Sequence, residues 1–130
     1  MKKILTYGTF DCFHIGHLRL LERASALGDQ LYVGVSTDEF NVSKGKESLC
    51  RFSDRLEIIQ SLRYVYRAFP EREWSQKIDD VIKNGIDIFV MGDDWKGYFD
   101  ADLKEHCDVV YLSRTEGISS SRIRKELSVT

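Results

Sequence analysis

A chain of 130 residues, 42% hydrophobic and 31% charged, has the ordinary make-up of one globular domain, with enough apolar side chain to bury a core without metal or disulfide staples. A formal net charge of -2 excludes an overall basic field of the kind that binds nucleic acid, so any cationic site must be local. The three cysteines, Cys12, Cys50 and Cys107, are odd in number, far apart and outside any Cys-x-x-Cys pair, which predicts reduced thiols in a cytoplasmic protein.

Lys2-Lys3 run directly into the apolar stretch Ile4-Leu5-Thr6-Tyr7, a first strand, with no signal-peptide pattern and no apolar run long enough to cross a bilayer. Leu18, Leu20, Leu21, Ala24 and Leu27 then fall on one broad face of a helix, with Gly28 as its expected cap. Leu31-Tyr32-Val33-Gly34-Val35 reads as a strand buried on both faces. Phe40 to Phe52 reads as a polar loop carrying Lys44-Gly45-Lys46. Ser53 is the expected N-cap of a helix whose buried face is Leu56, Ile58, Ile59, Leu62 and Val65. Arg55 and Arg63, eight residues apart, fall on about the same side of that helix, where solvated charges and a substrate role stay equally open.

Tyr66 to Phe69 is a short third strand stopped by Pro70. A helix follows from Trp74 or Ser75 to Asn84, with Ile78, Val81 and Ile82 apolar and Gly85 as cap; on spacing alone Lys77 is a surface lysine. Ile86 to Met91 is the fourth strand and leads into Gly92-Asp93-Asp94-Trp95, where an aspartate pair fits metal or ribose hydroxyl binding or an ordinary turn. A short helix is expected around Asp102 to His106, a fifth strand over Val109 to Leu112, and a last helix capped by Ser119 or Ser120 and running to about Leu127. Strands alternating with helices predict a Rossmann-like, doubly wound, five-stranded parallel sheet in one domain, 1–130, of order 3-2-1-4-5, with the site at the switch point between strands 1 and 4.

The stretch that concentrates chemistry is Tyr7-Gly8-Thr9-Phe10-Asp11-Cys12-Phe13-His14-Ile15-Gly16-His17, a strand-to-helix turn holding two of the chain's three histidines. A helix N-terminus offers free N–H groups and a partial positive charge, and imidazoles add donors near neutral pH. The turn therefore suits a phosphate chain. A metal pair or ordinary surface histidines stay open, although no further Cys or His cluster lies nearby to complete a zinc site.

Gly-Thr-Phe-Asp-x-x-His-x-Gly-His resembles the signature of the nucleotidyltransferases related to class I aminoacyl-tRNA synthetases. Arg114-Thr115-Glu116-Gly117-Ile118-Ser119-Ser120-Ser121 resembles their second signature. With Ser36-Thr37-Asp38-Glu39-Phe40-Asn41 and Val90-Met91-Gly92-Asp93-Asp94-Trp95, the likeness over nearly the whole chain is to the glycerol-3-phosphate cytidylyltransferase family.

That resemblance implies transfer of CMP from CTP to sn-glycerol 3-phosphate, giving CDP-glycerol and pyrophosphate, for teichoic acid or a related cell-surface polymer. It implies that His14, His17 and Arg114 act on the phosphates in the reaction. Thr9, Phe10, His14, Ile15, Gly16, His17, Lys46, Asp94, Trp95 and the segment Arg114 through Ser121 would hold the nucleotide. Lys44, Lys77, Arg55 and Arg63 would serve the acceptor. Mg²⁺ is expected on the CTP phosphates, with Asp11 touching it through water, and a homodimer is expected. Another phosphate ester as acceptor, ATP in place of CTP, and a non-catalytic CTP-sensing module remain the alternatives.

Overall fold

The computed structural model describes residues 1–113. Strands β1 (Lys3–Gly8), β2 (Gln30–Ser36), β3 (Arg67–Glu71), β4 (Ile88–Gly92) and β5 (Asp108–Leu112) form one parallel sheet of order β3-β2-β1-β4-β5. Between them run helices α1 (Ile15–Ser25), α2 (Asp38–Ser43), α3 (Phe52–Ser61), α4 (Gln76–Asn84) and α5 (Asp100–Leu103), with a 3₁₀ turn at Asp93–Trp95. The expected strand order is the observed one. None of the described helices is long and apolar enough to cross a membrane.

Both faces of the sheet are covered, which is why β1, β2 and β4 read as continuous apolar runs. Ile4, Leu31, Val33, Val35, Ile88 and Val90 pack on one face against Leu21 and Ala24 of α1 and Ile59 of α3. Leu5, Tyr7, Tyr32, Phe89 and Met91 pack on the other against Val81 of α4 and Phe99 and Leu103 around α5. β1 pairs with β2 along its whole length, from Lys3–Gln30 to Gly8–Val35, but with β4 only at Ile4–Ile88 and Leu5–Phe89. Beyond Leu5 that ladder ends, at the carboxyl ends where the strand order reverses and open α/β sheets bind their ligands.

Several local expectations are corrected. α3 starts at Phe52 with Arg51 in the cap position and no side-chain cap, so Ser53 lies inside the helix. It ends at Ser61, because Leu62 turns extended (ψ 137°) to deliver Val65 to the core and the Tyr66 N–H to the Leu31 carbonyl. Arg63 is therefore off the helix, and Ile58 is exposed. The loop after Phe40 begins as a helix, because Thr37 caps α2 by accepting from the Phe40 N–H. Pro70 lies inside β3 instead of stopping it, which an edge strand tolerates. α1 is capped at Ala26, ahead of Gly28. Gly85 does cap α4, in the left-handed region at φ 64° that glycine enters without strain. α4 buries Lys77 and Val81, one turn apart, and leaves Ile82 exposed.

Candidate active site

The turn after β1 is held from inside. Phe10 and Cys12 both have positive φ, 54° and 49°, on either side of the buried Asp11. Such conformations persist only when the surroundings fix them. Here the Asp11 carboxylate accepts the main-chain N–H groups of Leu49 and Cys50, each at 2.9 Å, and clasps the turn to the loop before α3. The Phe10 ring folds back so closely on Gly8 that a Cβ there would sit 2.8 Å from it.

His14 is the N-cap of α1, and its Nδ1 accepts the Gly16 N–H at 3.0 Å. His17 returns the contact, its Nδ1 accepting the His14 N–H at 3.2 Å. A neutral imidazole that accepts at Nδ1 carries its proton on Nε2. The two rings stack, with centroids 3.8 Å apart and planes 23° from parallel. Burial lowers the pKa of His14. Burial, with His14 as a smaller cause and Asp11 opposing, lowers that of His17 to about 4. At neutral pH both rings are therefore uncharged and offer Nε2–H groups. The His14 Nε2 is buried with no hydrogen-bond partner among the described residues, an orphan that calls for an acceptor.

A second group lies at the ends of β2 and β3. Lys77 of α4 is buried against Glu71 at the end of β3, with its ammonium 2.5 Å from the carboxylate. The other Glu71 oxygen accepts the Ser36 hydroxyl at 2.9 Å, and Ser36 Oγ accepts from the Lys44 ammonium at 3.2 Å. Aromatic rings wall the pair: Lys77 lies 4.5 Å from the Trp74 ring centroid and 4.6 Å from that of Tyr7, and Lys44 lies 4.3 Å from that of Phe40. Burial holds Lys44 down at a pKa of about 8; Glu71 raises it, and Lys46, Lys77 and Arg55 lower it. Lys77 is thus no surface lysine. Sequence reasoning passed over Glu71, Ser36 and Trp74 as site residues, and the one available signal was their position just beyond two strand ends on the rim that carries the histidines.

Arg55 is 1% exposed and gives four of its five N–H groups to protein: to the carbonyls of Cys50, Thr9 and Ser36 and to the Asp38 carboxylate. It fixes the exits of β1 and β2 relative to each other. Thr9 Oγ1 also meets Asn41 Oδ1 at 3.3 Å, which ties the first motif to α2. Arg63 lies elsewhere: its guanidinium meets the Tyr64 hydroxyl, which in turn donates to Glu22, well along α1. Lys46 and Asp94 are exposed, and Ile15 projects outward beside Gly16 at the start of α1. Trp95 is half-buried and packs on Trp74, Tyr98 and Phe99, joining the β4 exit to the lysine group. Arg114, Thr115, Glu116, Gly117, Ile118, Ser119, Ser120, Ser121 and the expected last helix lie outside the described residues.

The rim therefore gathers neutral N–H donors in the turn after β1 and ammonium groups one strand over, a donor set for anions. The family model described as cytidylyltransferase-like matches residues 5–126. The chain belongs to the cytidylyltransferase-like family. It is 54% identical to the glycerol-3-phosphate cytidylyltransferase of Bacillus subtilis (strain 168), over 98% of both chains. It is 52% identical to that of Staphylococcus aureus (strain NCTC 8325 / PS 47), over 98% of this chain and 96% of that one. Among solved structures, the lipopolysaccharide core biosynthesis protein from Thermoplasma volcanium GSS1 superposes with a TM-score of 0.80 at 27% identity, covering 89% of this chain and 99% of that one. Within this cytidylyltransferase-like fold, the imidazole turn and the lysine group lie on one sheet rim, at the ends of neighbouring strands.

Proposed function

We propose that the protein transfers CMP from CTP to sn-glycerol 3-phosphate, releasing CDP-glycerol and pyrophosphate. The observation that carries this reading is the pair of stacked imidazoles, both locked as Nε2–H donors at a helix N-terminus, beside a separate lysine pair of which Lys77 is buried and Lys44 half-buried. Two anions must meet in this reaction, and the site has two sets of donors. Relatives more than half identical along the whole chain support the same substrates.

An oxygen of the acceptor phosphate attacks the α-phosphorus of CTP in line, the bond from that phosphorus to the bridging oxygen breaks, and pyrophosphate leaves with the electron pair. The attacking oxygen is already anionic, so no general base is needed. Positioning and charge stabilisation do the work. His14 and His17 donate to the phosphate oxygens as negative charge moves onto them. Thr9, Phe10, Ile15 and Gly16 shape the turn beneath. Lys44 and Lys77 receive the acceptor phosphate, with Lys46 on the triphosphate and Asp94 and Trp95 beside the nucleoside. Arg114 through Ser121 would grip the nucleotide from the β5 side, and Arg63 would serve the acceptor from outside the buried group.

CTP would arrive as its Mg²⁺ complex, because that ion keeps several waters and binds through substrate phosphates. The N–H and ammonium donors of the rim suit those phosphates and leave the ion to the nucleotide. Asp11 accepts two main-chain amides and so holds the turn, and its carboxylate keeps acceptor sites with which it would reach the ion through water. A cytoplasmic homodimer that supplies CDP-glycerol for teichoic acid or a related surface polymer completes the proposal.

The test is incubation with CTP, sn-glycerol 3-phosphate and Mg²⁺, with products identified by mass. CDP-glycerol and equimolar pyrophosphate are expected. Turnover only with another phosphate ester would replace the acceptor, and CTP binding without pyrophosphate from any acceptor would make the protein a CTP-binding module.

A further inference from the structure

Glu71 is the odd member of the rim. It is a carboxylate, 3% exposed, in the middle of a group otherwise built to attract anions. Its two oxygens are divided between two lysines that come from different elements. One takes Lys77 of α4 directly, and the other takes the Ser36 hydroxyl, whose oxygen accepts from Lys44 at the end of α2. Every donor in the chain Lys44–Ser36–Glu71–Lys77 thus points toward one carboxylate. The buried Lys77 ammonium and the half-buried Lys44 ammonium would otherwise repel each other and be free to swing along their long stems. The aromatic walls hold the cations from the outside, with Trp74 against both of them, but rings cannot set the direction in which an N–H points.

We propose that Glu71 is a positioning and specificity residue for the acceptor: its carboxylate sets Lys77 directly, and Lys44 through Ser36, as one preorganised cationic pair for a phosphate monoester. This rests on the reading that Lys44 and Lys77 receive the acceptor phosphate. The negative charge also keeps Lys44 protonated against the groups that face it, which are Lys77 from α4, Arg55 from α3 and Lys46 from its own loop. Neutralising Glu71 therefore acts on the acceptor twice: the pair loses its fixed geometry, and Lys44 gives up its proton at lower pH.

The experiment compares Glu71→Gln, Glu71→Asp and Ser36→Ala by steady-state kinetics in both substrates across pH, with Lys44→Ala in parallel. Glu71→Gln is expected to raise the KM for glycerol 3-phosphate by at least about fivefold with the KM for CTP within about twofold. It should also move the alkaline limb of kcat/KM for glycerol 3-phosphate toward acid by about one pH unit, the usual effect of losing a nearby opposite charge. Glu71→Asp keeps the charge and is expected to keep the limb in place, while its shorter reach raises the acceptor KM. Ser36→Ala breaks only the Lys44 branch, and a smaller rise confined to the acceptor KM is expected; this variant and Glu71→Asp decide the matter should Glu71→Gln fail to fold.

Equal losses for both substrates with an unmoved limb, or wild-type behaviour, would overturn the role of Glu71. If Lys44→Ala leaves the acceptor KM unchanged, the acceptor assignment falls and this proposal with it. If Lys44→Ala raises that KM and the Glu71 variants do not, only the role of Glu71 falls.

Discussion

The imidazoles of His14 and His17 lie face to face, 3.8 Å between centroids, and each accepts a main-chain N–H of the same turn at its Nδ1. The backbone thereby chooses the tautomer of both rings. Each neutral ring keeps its proton on Nε2, and the direction of that N–H is fixed before any ligand arrives. Preorganised donors of this kind need no rearrangement when negative charge develops, which is the condition for them to lower a barrier.

His17→Ala should therefore cut turnover by about a hundredfold or more, the usual loss when one such donor is removed. The fold should survive, because the mutation takes one acceptor from the His14 N–H at a helix end, worth about 1 kcal/mol. Circular dichroism shows whether the variant is folded, and a pyrophosphate-release assay gives the rate. A folded variant with near-normal turnover would remove His17 from the reaction.

The same burial makes a prediction about pH. The folded protein holds His17 at a pKa of about 4, against an ordinary 6.5. Between those values the unfolded chain binds a proton that the folded chain refuses, so stability is complete above about pH 6.5 and falls as pH drops toward 4. The difference is worth at most about 3 kcal/mol, less whatever solvent screening removes. Urea midpoints measured from pH 7 to 4 should fall more steeply for the wild type than for His17→Gln, which has no group to titrate there. Parallel slopes would mean that His17 is not the residue refusing the proton.

The strand order was legible because β1, β2 and β4 are apolar on both faces and the chain alternates strands with helices. The histidine turn was legible because glycine and imidazole crowd into one strand exit. The lysine group was legible through the resemblance alone and hidden from spacing for a physical reason: Lys77 on α4 becomes a buried residue only through Glu71 on β3, and no local pattern carries that pairing. The same holds for α4, where the sequence offers Ile78, Val81 and Ile82 as core but the helix turns Lys77 inward with Val81 and leaves the two isoleucines exposed. α3 ends early because the run from Leu62 to Tyr66 obeys the sheet, with the Tyr66 N–H claimed by Leu31, and not the helical spacing of its apolar residues.

Lys77→Ala should raise the KM for glycerol 3-phosphate and leave CTP affinity little changed, since this lysine belongs to the rim of β2 and β3 and not to the imidazole turn. Removing it strands the Glu71 charge, so Lys77→Gln, which keeps a donor for the carboxylate, is the companion variant. Initial rates with each substrate varied in turn measure the split. Equal weakening of both substrates would place Lys77 on the shared phosphate path.

Arg55 makes the sharpest prediction about stability. Its guanidinium is buried and satisfies three carbonyls that come from the exits of β1 and β2 and from the loop before α3, as well as the Asp38 carboxylate. A lysine has a point charge where the planar fork reaches in several directions at once, so Arg55→Lys cannot serve all four acceptors. The expected cost is about 3 kcal/mol, read as a lowered urea midpoint, because buried acceptors and a carboxylate lose their partner together. Catalysis should suffer in both substrates alike, since Thr9 belongs to the nucleotide turn and Ser36 to the lysine group, and one side chain holds both. A variant as stable as the wild type but selectively weak for the acceptor would instead make Arg55 a direct ligand of the acceptor phosphate, and the clamp between the two strand exits would not be its main work.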